Sequence, residues 1–210
     1  PSARVIGVES ANAASMTEAL AKGECCEVCA TPTIADGIAV KKVGCKTLEL
    51  VKQYVDEVVT VTEDEIATAI LFLMEKSKVV AEGAGATPLA AILAGKVECK
   101  GRKTCAVVSG GNIDVNLIER VLNRALINAG RRYEFKVKVH DRFGETEKLL
   151  SLITENRANI LFITQSMYNV ELGITMQEVT LVIECSDMAH RDAVITKIKE
   201  AGMKFISIQK

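Results

Sequence analysis

The sequence runs to 210 residues, 49% of them hydrophobic and 25% charged, a balance that supplies enough apolar material for a core and excludes a disordered chain. Twenty-six Lys and Arg stand against 27 Asp and Glu, for a formal charge of -1, so the basic footprint of a nucleic-acid or anionic-membrane binder is missing. The longest apolar run, 66–74, is edged by Glu65, Glu75 and Lys76 and falls short of the roughly 20 residues that cross a bilayer; three prolines, no Trp and 4% aromatics favour Ala, Val and Ile packing in an α/β design.

Residues 4–8 (RVIGV) are nearly all apolar, which is how a strand buried on both faces of a parallel sheet reads. The sequence opens on Pro1 and enters this strand almost at once, so its start reads as a cut. Residues 13–21 are Ala-rich and predict a helix. Cys25, Cys26 and Cys29 then form a CCxxC cluster, open to two readings: a soft-metal site or small buried hydrophobes. No second CxxC or paired His completes four ligands, so no metal is assigned. An odd count of seven cysteines with no basic-then-apolar leader predicts reduced thiols in a soluble, cytoplasmic protein. Lys41, Lys42 and Lys46 sit in a polar run and read as solvated.

Residues 58–61 predict a second buried strand, and Thr62 with Glu65 makes a capping box opening a helix that sets Ile66, Ile70, Leu73 and Met74 on one face. Residues 79–81 run into the glycine-punctuated stretch 82–87 and a further Ala/Leu helix to Leu93, closed by Gly95. A third buried strand is predicted over 104–108, delivering the turn Ser109-Gly110-Gly111-Asn112 before a helix that carries Leu117, Ile118, Val121, Leu122 and Ala125 and stops at Gly130.

From Tyr133 the texture changes. Phe135, Val137 and Val139 alternate with lysines, a turn follows over 141–144, and Leu149, Leu150 and Ile153 mark a helix. Residues 160–167 read as a strand; Val179, Leu181, Ile183 and Cys185 alternate in the next; Asp187 caps a helix with Val194, Ile198 and Ala201; Gly202 ends it; and 205–208 is a last strand. The order βαββαβ is the ferredoxin-like split βαβ arrangement. The predicted division is therefore 1–130 and 131–210.

The segments VIGVESANAASM (5–16), TPTIADGIAVKKVG (31–44), VDEVVTVTEDEIATAI (55–70), VVAEGAGATPLAAILAGK (79–96) and VVSGGNIDVNLIERVL (107–122), in that order, resemble the C-terminal portion of fold-type-II pyridoxal-phosphate enzymes, the threonine dehydratases in particular. The stretch VHDRFGETEKLLSLI (139–153) and the strand-helix-strand that follows are similar to an ACT domain, the amino-acid-sensing module attached to such dehydratases. The resemblance implies a partial fold-type-II (tryptophan synthase β-like) parallel-sheet domain over 1–130 and an α+β ACT domain over 131–210. It implies a lyase that converts L-threonine to 2-oxobutanoate and ammonia, and also L-serine to pyruvate, with pyridoxal 5'-phosphate as electron sink. In the family, the Schiff-base lysine, the asparagine beneath the ring and the phosphate-cradling glycine loop lie upstream of the segment resembling 5–16, so none of them is expected among these residues.

By the same resemblance Ser109 in SGGN is the hydroxyl partner of the pyridine nitrogen, and Glu82 in EGAGA lies near the cofactor face. Gly110 and Gly111 let the main chain approach the ring, which glycine does without strain. Read without the resemblance, Ser109 is a turn residue capping the next helix and Glu82 a strand-end carboxylate satisfied by the amides that follow it. Glu9, Ala13 and Ser15 match positions where relatives such as serine racemase hold a cation; an aspartate there is Ser15 here, and with one anionic ligand gone hydrogen bonding or a monovalent ion replaces a divalent site. Asp141, Gly144, Asn159 and Ile160 match the effector positions of paired ACT modules, although Phe143 stands where the family's turn carries proline; a plain loop-shaping role for Asp141 and Gly144 is the other reading. His140 and His190 have no partners at ligand spacing and read as surface or satisfied histidines.

Two functions from different classes follow. One is the C-terminal part of a regulated threonine dehydratase, completed by a missing N-terminal segment, under allosteric amino-acid control and assembled as a homo-oligomer because paired modules cover sheet edges. The other is a non-catalytic amino-acid-binding regulatory fragment, inactive alone for want of the lysine.

Overall fold

Strand β1 (Ile6–Ser10) runs parallel to β2 (Glu57–Val61), with Ile6 opposite Glu57 and Ser10 opposite Val61. They belong to a computed structural model that describes residues 3–168 and 172–208. The chain divides into two units, Pro1–Ala125 and Leu126–Lys210.

In the first unit a 3-10 turn (Ala11–Ala13) leads from β1 to α1 (Ser15–Lys22), which Gly23 ends at φ +77°. A long connection reaches α2 (Cys45–Tyr54), and then β2. The capping box is present: the Glu65 N–H donates to Thr62 Oγ1 at 3.3 Å and the Thr62 N–H to Glu65 Oε2 at 2.7 Å. It opens α3 (Glu63–Phe72), whose Ile66 and Ile70 are fully buried; Leu73, buried too, begins the π turn (Leu73–Ser77) that prolongs it until Lys78 turns left-handed at φ +58°. In α4 (Gly83–Leu93) Pro88 has no N–H for the Ala84 carbonyl, and the Thr87 hydroxyl donates to that oxygen at 2.9 Å instead. Gly95 at φ +70° and a 2.9 Å bond from the Lys96 N–H to the Ala91 carbonyl close the helix. Helix α5 (Val115–Asn128) buries Val121 and Ala125.

Two expectations are corrected in this unit. Residues 104–108 form no strand, and Val107 and Val108 are exposed. A strand needs a neighbour for its N–H and C=O groups, and the parallel sheet of the described residues pairs β1 with β2 alone. For the same reason neither β1 nor the strand expected over 58–61 is buried on both faces: Ser10 is the one buried residue of β1 and Val61 that of β2, and Val5, ahead of β1, is exposed.

The second unit follows its sequence pattern closely. Strands β3 (Arg132–His140), β4 (Asn159–Ser166), β5 (Met176–Glu184) and β6 (Lys204–Ser207) form an antiparallel sheet in the order β4-β5-β3-β6. Phe135, Val137 and Val139 of β3 and Val179, Leu181 and Ile183 of β5 point to one buried face, where they pack with Leu149 and Ile153 of α6 (Glu145–Glu155) and Val194 and Ile198 of α7 (Met188–Glu200). Each such side chain contributes about 1.5–3 kcal/mol by leaving water. Asp187 caps α7 by accepting the His190 N–H at 2.8 Å, and Gly202 ends it at φ +77°. The βαββαβ order and the sheet order together are those of the ferredoxin-like arrangement.

Candidate functional site

The four residues matched to the cofactor come together at the start of α4. The Glu82 N–H donates to the Gly110 carbonyl at 3.3 Å, and Glu82 Oε2 accepts the Asn112 N–H at 3.1 Å. The partner of the Glu82 carboxylate is therefore an amide of the 109–112 turn, not one of the amides that follow it in α4. Gly110, at φ +86°, lies so close that a β-carbon there would stand 2.7 Å from Glu82 Cδ. A β-carbon on Gly85 would stand 2.2 Å from the Ser109 carbonyl oxygen, one on Gly111 2.8 Å from the Val80 carbonyl and one on Gly83 2.0 Å from the Ile34 carbonyl. The glycines of EGAGA and SGG thus permit three backbone segments to touch. Ser109 is exposed on this bend, and its hydroxyl has no hydrogen-bond partner among the described residues. It does not cap α5; Asp114 does, accepting the Asn116 N–H at 2.7 Å.

A hydrogen-bonded network, not visible in the sequence pattern, fixes the Ile34 side of the cradle. Glu63 accepts the Thr33 hydroxyl at 2.6 Å and the Ile34 N–H at 2.7 Å, and the buried Ser10 hydroxyl lies 3.3 Å from the same carboxylate. It joins the carboxyl ends of β1 and β2 to the segment behind Gly83, and such strand ends are where open α/β sheets hold ligands. An acidic residue one place after a capping threonine was the available signal.

Glu9 uses both oxygens on the start of α1: Oε1 accepts the Met16 N–H at 2.7 Å, and Oε2 accepts the Thr17 N–H and hydroxyl at 2.8 Å. Both oxygens of this carboxylate are thus held in hydrogen bonds that supply the cap Ala14 lacks. No group of three metal-ligating side chains occurs among the described residues. Cys25 and Cys26 are half-buried against Val43 and Leu48, while Cys29 is exposed. Lys41, Lys42 and Lys46 are exposed.

The four effector candidates do not converge within one copy. Asp141 and Gly144 follow the end of β3, where His140 pairs with Met176; the Asp141 N–H donates to the Thr175 carbonyl at 2.8 Å and Gly144 precedes α6 at φ +84°. Asn159 and Ile160 begin β4 at the opposite end, where Asn159 and Arg132 both pair with Glu184. At about 3.3 Å per residue the nine-residue β3 separates the two pairs by roughly 26 Å. Beside the first pair the structure adds Gln177, which is buried, with Nε2 3.3 Å from the Thr146 hydroxyl and Oε1 without a hydrogen-bond partner among the described residues. Its signal was a glutamine at an inward position of β5, in line with Val179, Leu181 and Ile183. His190 is a satisfied histidine, with Nε2 2.7 Å from the Asn156 carbonyl; His140 is exposed.

The family model described as pyridoxal-phosphate dependent enzyme matches residues 1–110 of the 210. The chain belongs to the pyridoxal-phosphate dependent enzymes. The chain is 47% identical over 190 residues to an L-threonine ammonia-lyase of Thermotoga maritima, covering 90% of itself and 47% of that protein. It is 44% identical over 202 residues to an L-threonine ammonia-lyase of Geobacter sulfurreducens, covering 96% of itself and 50% of that protein. It spans about half the length of these curated relatives. Among solved structures it is similar to the processed form of threonine deaminase isoform 2 from Solanum lycopersicum (TM-score 0.54, 31% identity, 60% of this chain and 37% of that one). Maize serine racemase is a second such structure (TM-score 0.52, 30% identity, 61% of this chain and 40% of that one). Over the matched part of the chain the fold is thus the α/β fold of the fold-type-II class, and no helix of the described residues is long and apolar enough to cross a membrane.

Proposed function

We propose that these residues are part of a pyridoxal-phosphate dependent threonine ammonia-lyase that deaminates L-threonine to 2-oxobutanoate and ammonia, and L-serine to pyruvate, in the cytoplasm. The observation that carries the reading is the 44–47% identity to L-threonine ammonia-lyases over 90–96% of the chain. That span takes in both units, the cofactor-side residues and the ferredoxin-like module together.

The cradle fits the cofactor. A glycine at φ +86°, packed against the Glu82 carboxyl, and an exposed serine hydroxyl present the 109–111 bend to a flat ring. Bound pyridoxal phosphate supplies an electron sink for the pair left when the substrate's α-proton departs. Ser109 Oγ would offer the pyridine nitrogen a neutral hydroxyl, which would not force a proton onto that nitrogen as a carboxylate would. Gly110 and Gly111 bring the main chain to the ring, and Glu82, oriented by the Asn112 amide, sets the bend beside the cofactor face. The lysine that holds the cofactor, the ring asparagine and the phosphate loop are supplied in this reading by polypeptide outside these 210 residues.

Residues 131–210, within the second unit, are read as an ACT domain that binds an amino-acid effector. The sheet order supports it, as does the buried Gln177 Oε1 beside Thr146, which has no partner among the described residues, since a buried carbonyl without a donor is costly unless a ligand supplies one. The opposite placement of Asp141 with Gly144 and Asn159 with Ile160 calls for two modules side by side, and so for a homo-oligomer.

The test is 2-oxobutanoate release from L-threonine. Protein that joins this chain to the lysine-bearing segment is expected to turn over, and the 210 residues alone are not. Turnover by the 210 residues alone would contradict the placement of the lysine outside them, and failure of the joined protein on both threonine and serine would contradict the lyase reading.

A further inference from the structure

We propose that Cys25 and Cys45 are a thiol pair that closes to a reversible disulfide on meeting a small-molecule disulfide such as oxidised glutathione. After Gly23 turns the chain at the end of α1, residues 24–28 come back alongside 41–45: Glu27 bridges Lys42 in antiparallel fashion, and the Val28 N–H donates to the Lys41 carbonyl at 2.9 Å. That register carried two residues further sets Cys25 opposite Gly44, next to Cys45. Two other contacts hold the pair in place. Lys52 of α2 donates to the Gly23 carbonyl at 2.7 Å, and Cys25 packs with Cys26 on the Val43 and Leu48 cluster. The Cys25 thiol is raised above its ordinary range, first by its interaction with Cys45 and then by burial.

Geometry also disfavours two of the other pairings. Adjacent Cα atoms are 3.8 Å apart, below the roughly 4.4–6.8 Å of ordinary disulfides, so Cys25 and Cys26 do not pair without strain. Cys29 lies on the far side of the Glu27–Lys42 bridge, opposite Val40 in the same register and away from Cys45.

Cys45 is exposed at the first residue of α2 and meets the reagent first. Its thiolate attacks one sulfur of oxidised glutathione, the S–S bond breaks, and one glutathione leaves and takes up a proton. Cys25 then loses its own proton and displaces the second glutathione from Cys45. Two protein thiols are oxidised by two electrons in all, and one glutathione disulfide is reduced to two thiols. The cross-link closes the segment whose Thr33 and Ile34 hold Glu63. It stands independently of the lyase reading.

The test is disulfide mapping by mass spectrometry on the full chain, equilibrated with oxidised glutathione and quenched with an alkylating reagent. The expected result is a dominant Cys25–Cys45 cross-link that Cys26→Ser and Cys29→Ser retain, that Cys25→Ser replaces with a stable glutathione adduct on Cys45, and that loses its dominance in urea. Because Cys45 is exposed, Cys45→Ser keeps the fold and loses the cross-link. A glutathione adduct without ring closure in the wild-type chain, or a dominant pair other than 25–45, would overturn the proposal.

Discussion

The carboxyl group of Glu82 lies against the α-carbon of Gly110, so close that a β-carbon there would stand 2.7 Å from the glutamate's Oε1. Contact, left-handed backbone and amide bond all meet at one point of the chain. Gly110→Ala is expected to destabilise the protein by about 1–3 kcal/mol, from the φ strain and the clash. Only the clash is relieved when Glu82→Ala is added, so urea denaturation of the two single variants and the double should show a coupling of about 0.5–3 kcal/mol. Strict additivity would mean that the two groups do not touch.

Acid should weaken the second unit through Asp187. The His190 N–H bonded to its carboxylate holds the group below its ordinary range. A carboxylate lowered in the folded state stabilises above its unfolded value near pH 4, and that stability is lost as the pH falls through the folded value. Asn at this position still caps a helix. Asp187→Asn is therefore expected to melt like wild type near pH 7 and to lose less stability between about pH 5 and pH 2; parallel pH profiles for the two would assign the acid limb elsewhere.

Much of this architecture was legible because single residues with one clear job sat where the job was needed. Thr62 with Glu65, Asp187, Gly130 and Gly202 each marked a helix end, and the alternation of Val179, Leu181, Ile183 and Cys185 named the buried face of β5. Helix α2 was not legible: Gly44 gives it no side-chain cap and Leu48 is its one buried residue, so neither start nor stripe stands out. The 104–108 run misled for the opposite reason, since its residues have the composition of a buried strand and the described residues offer no neighbour to pair with it. At the site, SGGN and EGAGA could be matched to the cofactor separately, but their mutual contact depends on a fold that brings 82 to 110, and the Ser10, Thr33 and Glu63 network joins residues too far apart for any spacing rule.

Cys185 should be the slowest thiol in the native chain. Burial pushes it up to about 11, whereas Cys29, Cys45 and Cys105 are exposed. Because the thiolate is the reacting species, a thiol-specific chromophoric disulfide at pH 8 should modify the exposed cysteines first and Cys185 last. In urea all seven should react together. Early modification of Cys185 in the folded protein would contradict its place in the core.

Gln177→Leu should separate effector binding from stability. The change removes a buried carbonyl that has no partner among the described residues, at the loss of two long Nε2 bonds of 3.4 and 3.3 Å, so the melting temperature is expected to hold or rise. Isothermal titration with isoleucine, valine, threonine and serine should show one ligand for the wild-type protein and none for the variant. A fall of several degrees in Tm would instead make Gln177 a structural residue, and unaltered binding would remove it from the effector site.

The most direct measurement is the distance from Ser109 Oγ to the pyridine nitrogen in a crystal structure of the protein that carries both this chain and the lysine-bearing segment, loaded with pyridoxal phosphate. A separation of about 2.7–3.0 Å, the span of an ordinary hydrogen bond, is predicted. A ring bound elsewhere, with the 109–111 bend turned to solvent, would contradict the account.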